Sequence, residues 1–166
     1  LCMADSRSAF SYGEVWSRIY GLSQRLQELG VTRERCVAVE CSQNAGYMIC
    51  EFAIQLLGGI FVPIEKNAAA GRLAEILDDT QAVLYIGKDP AKLSAALDTI
   101  QTSCGPSQHS ATPGFMDISR AADFAYAPED IPPPGEMLFP EAQQTAEILF
   151  STGTTGKSKG IVLTHG

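Results

Sequence analysis

Apolar and polar positions along this chain recur with two different periods, and the switches between them mark its elements. From Phe10 to Gly30, Val15, Ile19, Leu22, Leu26 and Leu29 recur in steps of four and three, the spacing of one helix face. Ser11 and Glu14 stand at capping-box spacing, so hydroxyl and carboxylate can satisfy the first free N–H groups. Gly30 supplies a left-handed stop. Trp16 and Tyr20 flank the stripe, where helix-edge packing and a pocket wall are both open readings. Cys36–Cys41 (CVAVEC) then reads as a strand, and Ser42-Gln43-Asn44 as a turn whose Asn44 caps a helix over Ala45–Leu57. That helix is apolar on most faces and is expected to be buried.

Gly58-Gly59 ends the helix, and Ile60–Ile64 (IFVPI) is the next strand, with Pro63 expected near a strand end or at an edge. Strand, helix and strand within about thirty residues make a βαβ unit with parallel strands. Its first turn has no G-x-G-x-x-G, which sets aside a dinucleotide-binding fingerprint. A helix over Gly71–Asp79, a strand over Ala82–Ile86 and a helix over Ala91–Ile100 repeat the alternation and place the chain in the α/β class, built from parallel-sheet βαβ layers.

Beyond residue 100 the periodicity dissolves. Gln101–Gly114 is rich in Ser, Thr, Gly and Pro and reads as a loop, and Phe115–Ile118 as a short strand. Asp123–Gln144 holds Pro128, Pro132-Pro133-Pro134 and Pro140, a composition that favours extended polyproline geometry. The expected organisation is therefore an α/β subdomain over 1–100, a loop and proline-rich linker over 101–144, and a strand–loop–strand over 145–166 that begins a second sheet and is truncated. Glu129, Asp130, Glu136 and Glu141 read as solvated loop carboxylates, and His109 as exposed.

Composition narrows the function. The 45% hydrophobic and 19% charged residues suit a globular domain, and the net charge of −7 argues against a nucleic-acid or anionic-membrane surface as partner. The longest apolar stretch, Tyr47–Ile64, is interrupted by Glu51, Gln55, Gly58, Gly59 and Pro63, so no membrane span is expected. The five cysteines, Cys2, Cys36, Cys41, Cys50 and Cys104, show no C-x-x-C pair, so neither zinc nor a disulfide framework is indicated. A reducing, cytoplasmic setting fits them.

The chemistry concentrates in STGTTGKSKG, Ser151–Gly160, which follows the strand Thr145–Phe150 and precedes Ile161-Val162-Leu163. Glycines let successive N–H groups point inward, hydroxyls add donors, and Lys157 and Lys159 add charge in an acidic chain. A triphosphate is the expected guest. Gly156-Lys157-Ser158 matches the end of a nucleotide-hydrolase P-loop, but Ser151 stands where that motif opens with glycine. The residues that should start its helix are Ser158-Lys159-Gly160-Ile161-Val162, which favour a strand. A P-loop without its helix N-terminus has lost its main anion-binding device.

Gly153, Thr154, Thr155, Gly156, Lys159 and Gly160, followed by Thr164-His165, instead resemble the phosphate-binding signature of the adenylate-forming (AMP-binding) superfamily. That superfamily includes acyl-CoA and aryl-CoA ligases, peptide-synthetase adenylation domains and luciferases. Ser151-Thr152 reverses the family's order, and Ser158 stands where proline is commonest. The likeness extends over FSYGEV, CVAVEC, the Asn44 turn, GGIFVPI and GRLAEILDDTQAVLYI, so it covers nearly the whole chain.

The resemblance implies the N-terminal part of the large domain of an enzyme that activates a carboxylate with ATP and Mg2+ and passes the acyl group to a thiol. Coenzyme A is the leading acceptor, and fatty-acid metabolism is one setting. It implies that backbone N–H groups around Gly153 and Gly156, with Thr152, Thr154 and Thr155, hold the β- and γ-phosphates, and that Lys159 adds charge. Lys157 is read as a solvated neighbour and Ser158 as part of the same cradle. Thr164 is read as the cap of a helix starting at His165.

No catalytic residue and no metal ligand is expected within the chain. The family's adenine and ribose segments, magnesium glutamate and C-terminal lysine lie downstream, so this fragment alone is expected to be inactive and to need the missing part of its own chain. The alternatives are a peptide-synthetase adenylation domain that uses a carrier protein, and a non-catalytic scaffold or binding relative. The loop is expected to be poorly ordered without nucleotide, with Thr145–Gly166 the weakest region.

Overall fold

The computed structural model of the chain describes residues 3–5, 8–104, 112–151 and 159–166. A short antiparallel hairpin, β1 (Met3–Ala4) and β2 (Ala9–Phe10), leads into α1 (Tyr12–Glu28). Phe10 therefore belongs to a strand, not to the start of the helix, because it is registered on Met3 and Ser11 is still extended. Both arms of the expected capping box form. Ser11 Oγ accepts from the Glu14 N–H at 3.3 Å, and the Ser11 N–H donates to Glu14 Oε2 at 2.8 Å. Gly30, at φ +88°, ends the turn after α1 in the left-handed region.

The βαβ unit follows as β3 (Cys36–Glu40), α2 (Ala45–Leu56) and β4 (Ile60–Ile64), with β3 and β4 parallel from Cys36↔Ile60 to Glu40↔Ile64. Asn44 Oδ1 caps α2 by accepting from the Tyr47 N–H at 3.0 Å. α2 buries Ile49, Cys50, Ala53 and Ile54 but leaves Met48 and Phe52 exposed, so the expected burial holds for one face. The chain continues through α3 (Ala70–Thr80), β5 (Leu84–Gly87), α4 (Pro90–Cys104), β6 (Gly114–Asp117), β7 (Thr145–Ser151) and β8 (Lys159–Thr164). α4 runs through 101–104, which composition assigned to a loop. The Thr99 and Thr102 hydroxyls donate to the carbonyls of Ala95 and Asp98, at 2.8 and 2.7 Å, and so are satisfied within the helix.

Six strands form one sheet in the order β6-β5-β3-β4-β7-β8, parallel except for the antiparallel pair β7–β8. This corrects the expectation that Thr145–Gly166 opens a second sheet: β7 registers on β4 at Phe61↔Glu147. Of the two places expected for Pro63, it takes the strand end and not an edge, since β4 is interior. Pro63 is tolerated because it is the penultimate residue of β4 and the register with β7 is confined to Phe61, ahead of it.

Alternation along β3 splits the core. Val37 and Val39 face α1 and α2 together with Phe61, Leu84 and Ile86, whereas Ala38, Val62, Ile64 and Tyr85 face α3 and α4.

The linker is not free chain. Its extended stretches at Ala127, Ile131, Pro133 and Met137 alternate with single 3-10 turns at Pro128–Asp130 and Pro134–Glu136. Its first part is fixed to α1: Ser17 Oγ donates to the Tyr126 carbonyl at 2.5 Å, the Tyr126 N–H donates back to Ser17 Oγ at 3.0 Å, and Arg18 Nε donates to the Ala122 carbonyl at 3.1 Å. Tyr126 meets Tyr20 edge to face at 5.2 Å. Gly21 lets this segment approach, because a Cβ there would collide with the Phe124 carbonyl oxygen and come within 3.2 Å of the Tyr126 ring.

Gly21→Ala is therefore expected to destabilise the fold by about 1–3 kcal/mol despite the better helix propensity of alanine. Gly13→Ala, in the same helix with nothing within 4 Å, is expected to be neutral or mildly stabilising. Urea titration of both variants checks the contrast.

Candidate functional site

In parallel α/β sheets the carboxyl ends of the strands form the functional edge, because helix N-termini and loops converge there. β7 reaches that edge at Ser151 and β8 leaves it at Lys159, with Ser151↔Lys159 and Phe150↔Gly160 the last two pairs of the ladder. The two feet of the Ser151–Gly160 loop are therefore held side by side. Thr152, Gly153, Thr154, Thr155, Gly156, Lys157 and Ser158 lie outside the described residues, as does the expectation about loop order. Lys159 is described. It is the first residue of β8 and is exposed, so its ammonium is available at the mouth of the loop. Because Lys159–Thr164 is a strand, the P-loop alternative is overturned: that motif requires a helix directly after its lysine.

The base of the loop is tightly packed. A Cβ on Gly160 would come 3.1 Å from Ile148 Cγ2 and 3.5 Å from the Phe150 ring, so the strand backbone passes close to both side chains. A bulge between Thr145 and Glu147, where Thr145 pairs with Thr164 and Glu147 with Leu163, adjusts the register at the opposite end.

Other polar groups of this region escape sequence reasoning because their partners are far apart in the chain. Glu40 ends β3 with its side chain buried, and its Oε2 accepts from the Tyr85 hydroxyl at 2.9 Å and from the Lys88 N–H at 3.4 Å. Burial first, then the neighbouring Glu40, pushes the Tyr85 phenol above its usual range. On the other face, Tyr47 Oη lies 3.4 Å from Cys41 Sγ, and burial is the main cause of its raised pKa. Glu51 on α2 and Glu147 on β7 form an acidic pair. Glu51 is raised by burial and then by repulsion from Glu147, and Glu147 is raised by burial. A buried carboxylate at the end of an all-apolar strand is the signal that could have identified Glu40; the Glu51–Glu147 pair had none.

Thr164 and His165 differ from expectation. The Thr164 hydroxyl donates to the Gly166 carbonyl at 2.8 Å, and no helix starts at His165 among the described residues. The His165 ring lines a cavity of about 240 Å³ with Trp16, Ile19, Phe52, Leu56 and Phe139, and its Nε2 is buried with no hydrogen-bond partner among the described residues. Trp16 thus both packs against the core and walls this cavity.

The linker carboxylates Glu129, Asp130, Glu136 and Glu141 are exposed, as expected, and His109 lies outside the described residues. Cys36 and Cys50 are buried free thiols pushed up to about 11 and about 12 by burial, and Cys41 is a half-buried free thiol. Among the described residues no cluster of three or more His, Cys, Asp or Glu could hold a metal ion, and no helix is long and apolar enough to cross a membrane.

A mostly parallel sheet with helices on both faces and an antiparallel edge strand defines a mixed α/β protein, with the Gly/Thr/Lys segment at its carboxyl edge. The chain belongs to the AMP-binding enzyme family, which matches residues 1–166. Among curated relatives it is 27% identical to the mitochondrial malonate–CoA ligase of Homo sapiens over 99% of this chain and 28% of that protein. It is 24% identical to tyrocidine synthase 3 of Brevibacillus parabrevis over 96% of this chain and 2% of that protein.

Among solved structures it resembles apo MatB of Rhodopseudomonas palustris, with TM-score 0.72 and 20% identity, covering 95% of this chain and 30% of that one. It also resembles the inhibitor-bound N-terminal domain of FACL13 from Mycobacterium tuberculosis, with TM-score 0.70 and 21% identity, covering 94% and 37%. The chain thus spans under a third of the malonate–CoA ligase and a small part of the synthase. The fold is that of the N-terminal region of adenylate-forming enzymes.

The acidic pair sets a pH dependence. Raised carboxyl pKa values favour the protonated folded state, so their contribution to stability is present below the ordinary value of 4.5 and is lost as pH rises through the folded values. Glu51→Gln is expected to flatten that decline and raise stability at neutral pH. Denaturant titrations across the acid-to-neutral range, on wild type and variant, read it directly.

Proposed function

We propose that the chain is the N-terminal part of an ATP-dependent acid–thiol ligase that activates a carboxylate as its acyl-adenylate. The observation that carries this reading is the match to the AMP-binding family over residues 1–166, with the Gly/Thr/Lys segment leaving the sheet between β7 and β8. The residues present suit a polyphosphate: Lys159 is exposed at the foot of the loop, and Gly160 keeps the ladder close beneath it. ATP supplies the leaving pyrophosphate and the electrophilic α-phosphorus. In this reading Thr152, Thr154 and Thr155 would donate hydroxyls, Gly153 and Gly156 would supply backbone N–H groups, Ser158 would belong to the same cradle, and Lys159 would add a charge-assisted hydrogen bond. Lys157 raises the local potential from solvent. Mg2+ would accompany the nucleotide as the counter-ion of its phosphates.

The acceptor is coenzyme A in the first reading, supported by the malonate–CoA ligase relative. The second reading, a carrier-protein thiol, is supported by tyrocidine synthase 3. Both kinds of relative match, so the acid is proposed only as a small-molecule carboxylate, with no assignment to fatty-acid metabolism. A reducing, cytoplasmic location is proposed from the free thiols Cys36, Cys41 and Cys50.

Mg-ATP should bind the chain, and Lys159→Ala should weaken that binding by roughly tenfold, the size of one charge-assisted hydrogen bond. Calorimetric titration measures both; equal affinities would remove Lys159 from the site. The 166 residues alone should not catalyse carboxylate-dependent pyrophosphate–ATP exchange. Radiolabel incorporation at a turnover rate would show that no further chain is needed.

A further inference from the structure

The amino edge of the sheet, opposite the Ser151–Gly160 loop, holds a feature that the nucleotide reading does not use. There Trp16 and Ile19 of α1, Phe52 and Leu56 of α2 and Phe139 of the linker surround the cavity of about 240 Å³ that His165 lines. β8 runs away from the loop along its whole length, so His165 lies about 20 Å from Lys159. The cavity and the loop are separate places.

The walls are apolar, and no Asp, Glu, Lys or Arg lines the cavity among the described residues. A charged guest would lose its hydration there without gaining an ionic partner. Phe52 and Phe139 come from elements far apart in the chain, yet both meet at this cavity while 42% and 49% exposed. Two half-exposed rings at one apolar hollow leave surface that a flat apolar guest would cover. An apolar cavity of about 150 Å³ takes benzene, and drug-sized pockets begin at about 300 Å³. The volume here therefore suits one ring with short substituents, or two fused rings.

The polar handle is His165. Its backbone is fixed, the N–H donating to the Gln144 carbonyl at 3.2 Å. Its Nε2 is closed off from solvent and has no hydrogen-bond partner among the described residues. Bulk water does not satisfy this nitrogen, and a buried polar atom without a partner calls for one. A hydroxyl serves either tautomer of the ring, because it both donates and accepts.

We propose that this cavity is a binding site for a neutral hydroxylated aromatic molecule of one or two rings. Trp16, Phe52 and Phe139 cover its ring, and its hydroxyl pairs with His165 Nε2. The site stands independently of the nucleotide reading.

Trp16 is the chain's single tryptophan, so its indole N–H gives one resonance that reports on this cavity. The test follows that resonance in ¹⁵N-labelled protein titrated with p-cresol and, separately, with toluene, which lacks only the hydroxyl. p-Cresol should shift it saturably and bind roughly three- to tenfold more tightly than toluene, the size of one hydrogen bond. His165→Phe should abolish that preference and still bind toluene. Phe139→Ala, at a half-exposed position, should weaken both ligands by roughly threefold or more. A thermal melt of each variant establishes that it is folded.

No saturable shift with p-cresol in the wild type would overturn the proposal. So would toluene binding as tightly as p-cresol, the result of a merely apolar hollow. Neither comparison depends on a variant folding. A preference for p-cresol that survives in folded His165→Phe removes His165 from the site, and unchanged affinity in folded Phe139→Ala puts the ligand elsewhere; either also overturns it.

Discussion

The structure depends on one constraint: a parallel sheet has no face it can leave to water. β3 shows it most directly, since all five of its residues are buried, with alternate side chains in two different cores. Each face must then be covered by helices that the chain can reach only through crossovers. α2 returns on the face already occupied by α1, and α3 and α4 return on the other. This division sends the β3 loop to one side and the β4 and β5 loops to the other, and it leaves the carboxyl edge open between them. The loop between β7 and β8 joins that edge because β7 docks parallel to β4. Burial, a non-directional force, thereby decides at which edge the Gly/Thr/Lys segment leaves the sheet.

Wherever the signal was local, the sequence could be read. The Ser11–Glu14 capping box, the Asn44 cap and the left-handed Gly30 are set by neighbours within four residues, and all three form as read. The strand character of Ile161-Val162-Leu163 was equally local, and it removed the P-loop alternative. Misreadings arose where a composition rule stood in for a contact. The polar run at 101–104 stays helical because threonine hydroxyls such as that of Thr102 find carbonyls one turn back.

Pairing across long separations was not legible at all. Nothing in Thr145–Ser151 names β4 as its partner, so the sequence alone suggests a separate sheet where the strand in fact docks on β4. The same holds for Glu51 facing Glu147 and for Arg72 over Phe150, where neither residue of either pair carries a motif. The candidate site was legible in its residue types and illegible in its supports. The seven residues from Thr152 to Ser158 carry the expectation of a polyphosphate by composition alone, whereas what holds the strand ends on either side of them is a matter of tertiary packing.

The end strand puts unusual weight on those supports. Along β8 the run Ile161-Val162-Leu163 places apolar side chains on both faces in succession, the pattern of a strand covered on both sides. Here they are 52%, 57% and 40% exposed, and the strand lies at the sheet edge. β8 therefore draws little from burial and is held chiefly by its ladder to β7. Lys159 opens this same strand, so the placement of its charge is governed by that ladder and not by a core of its own. A substitution that loosens Phe150 thus reaches Lys159 through a single register step, whereas one in the α3–α4 core must first be transmitted across β4 and β7.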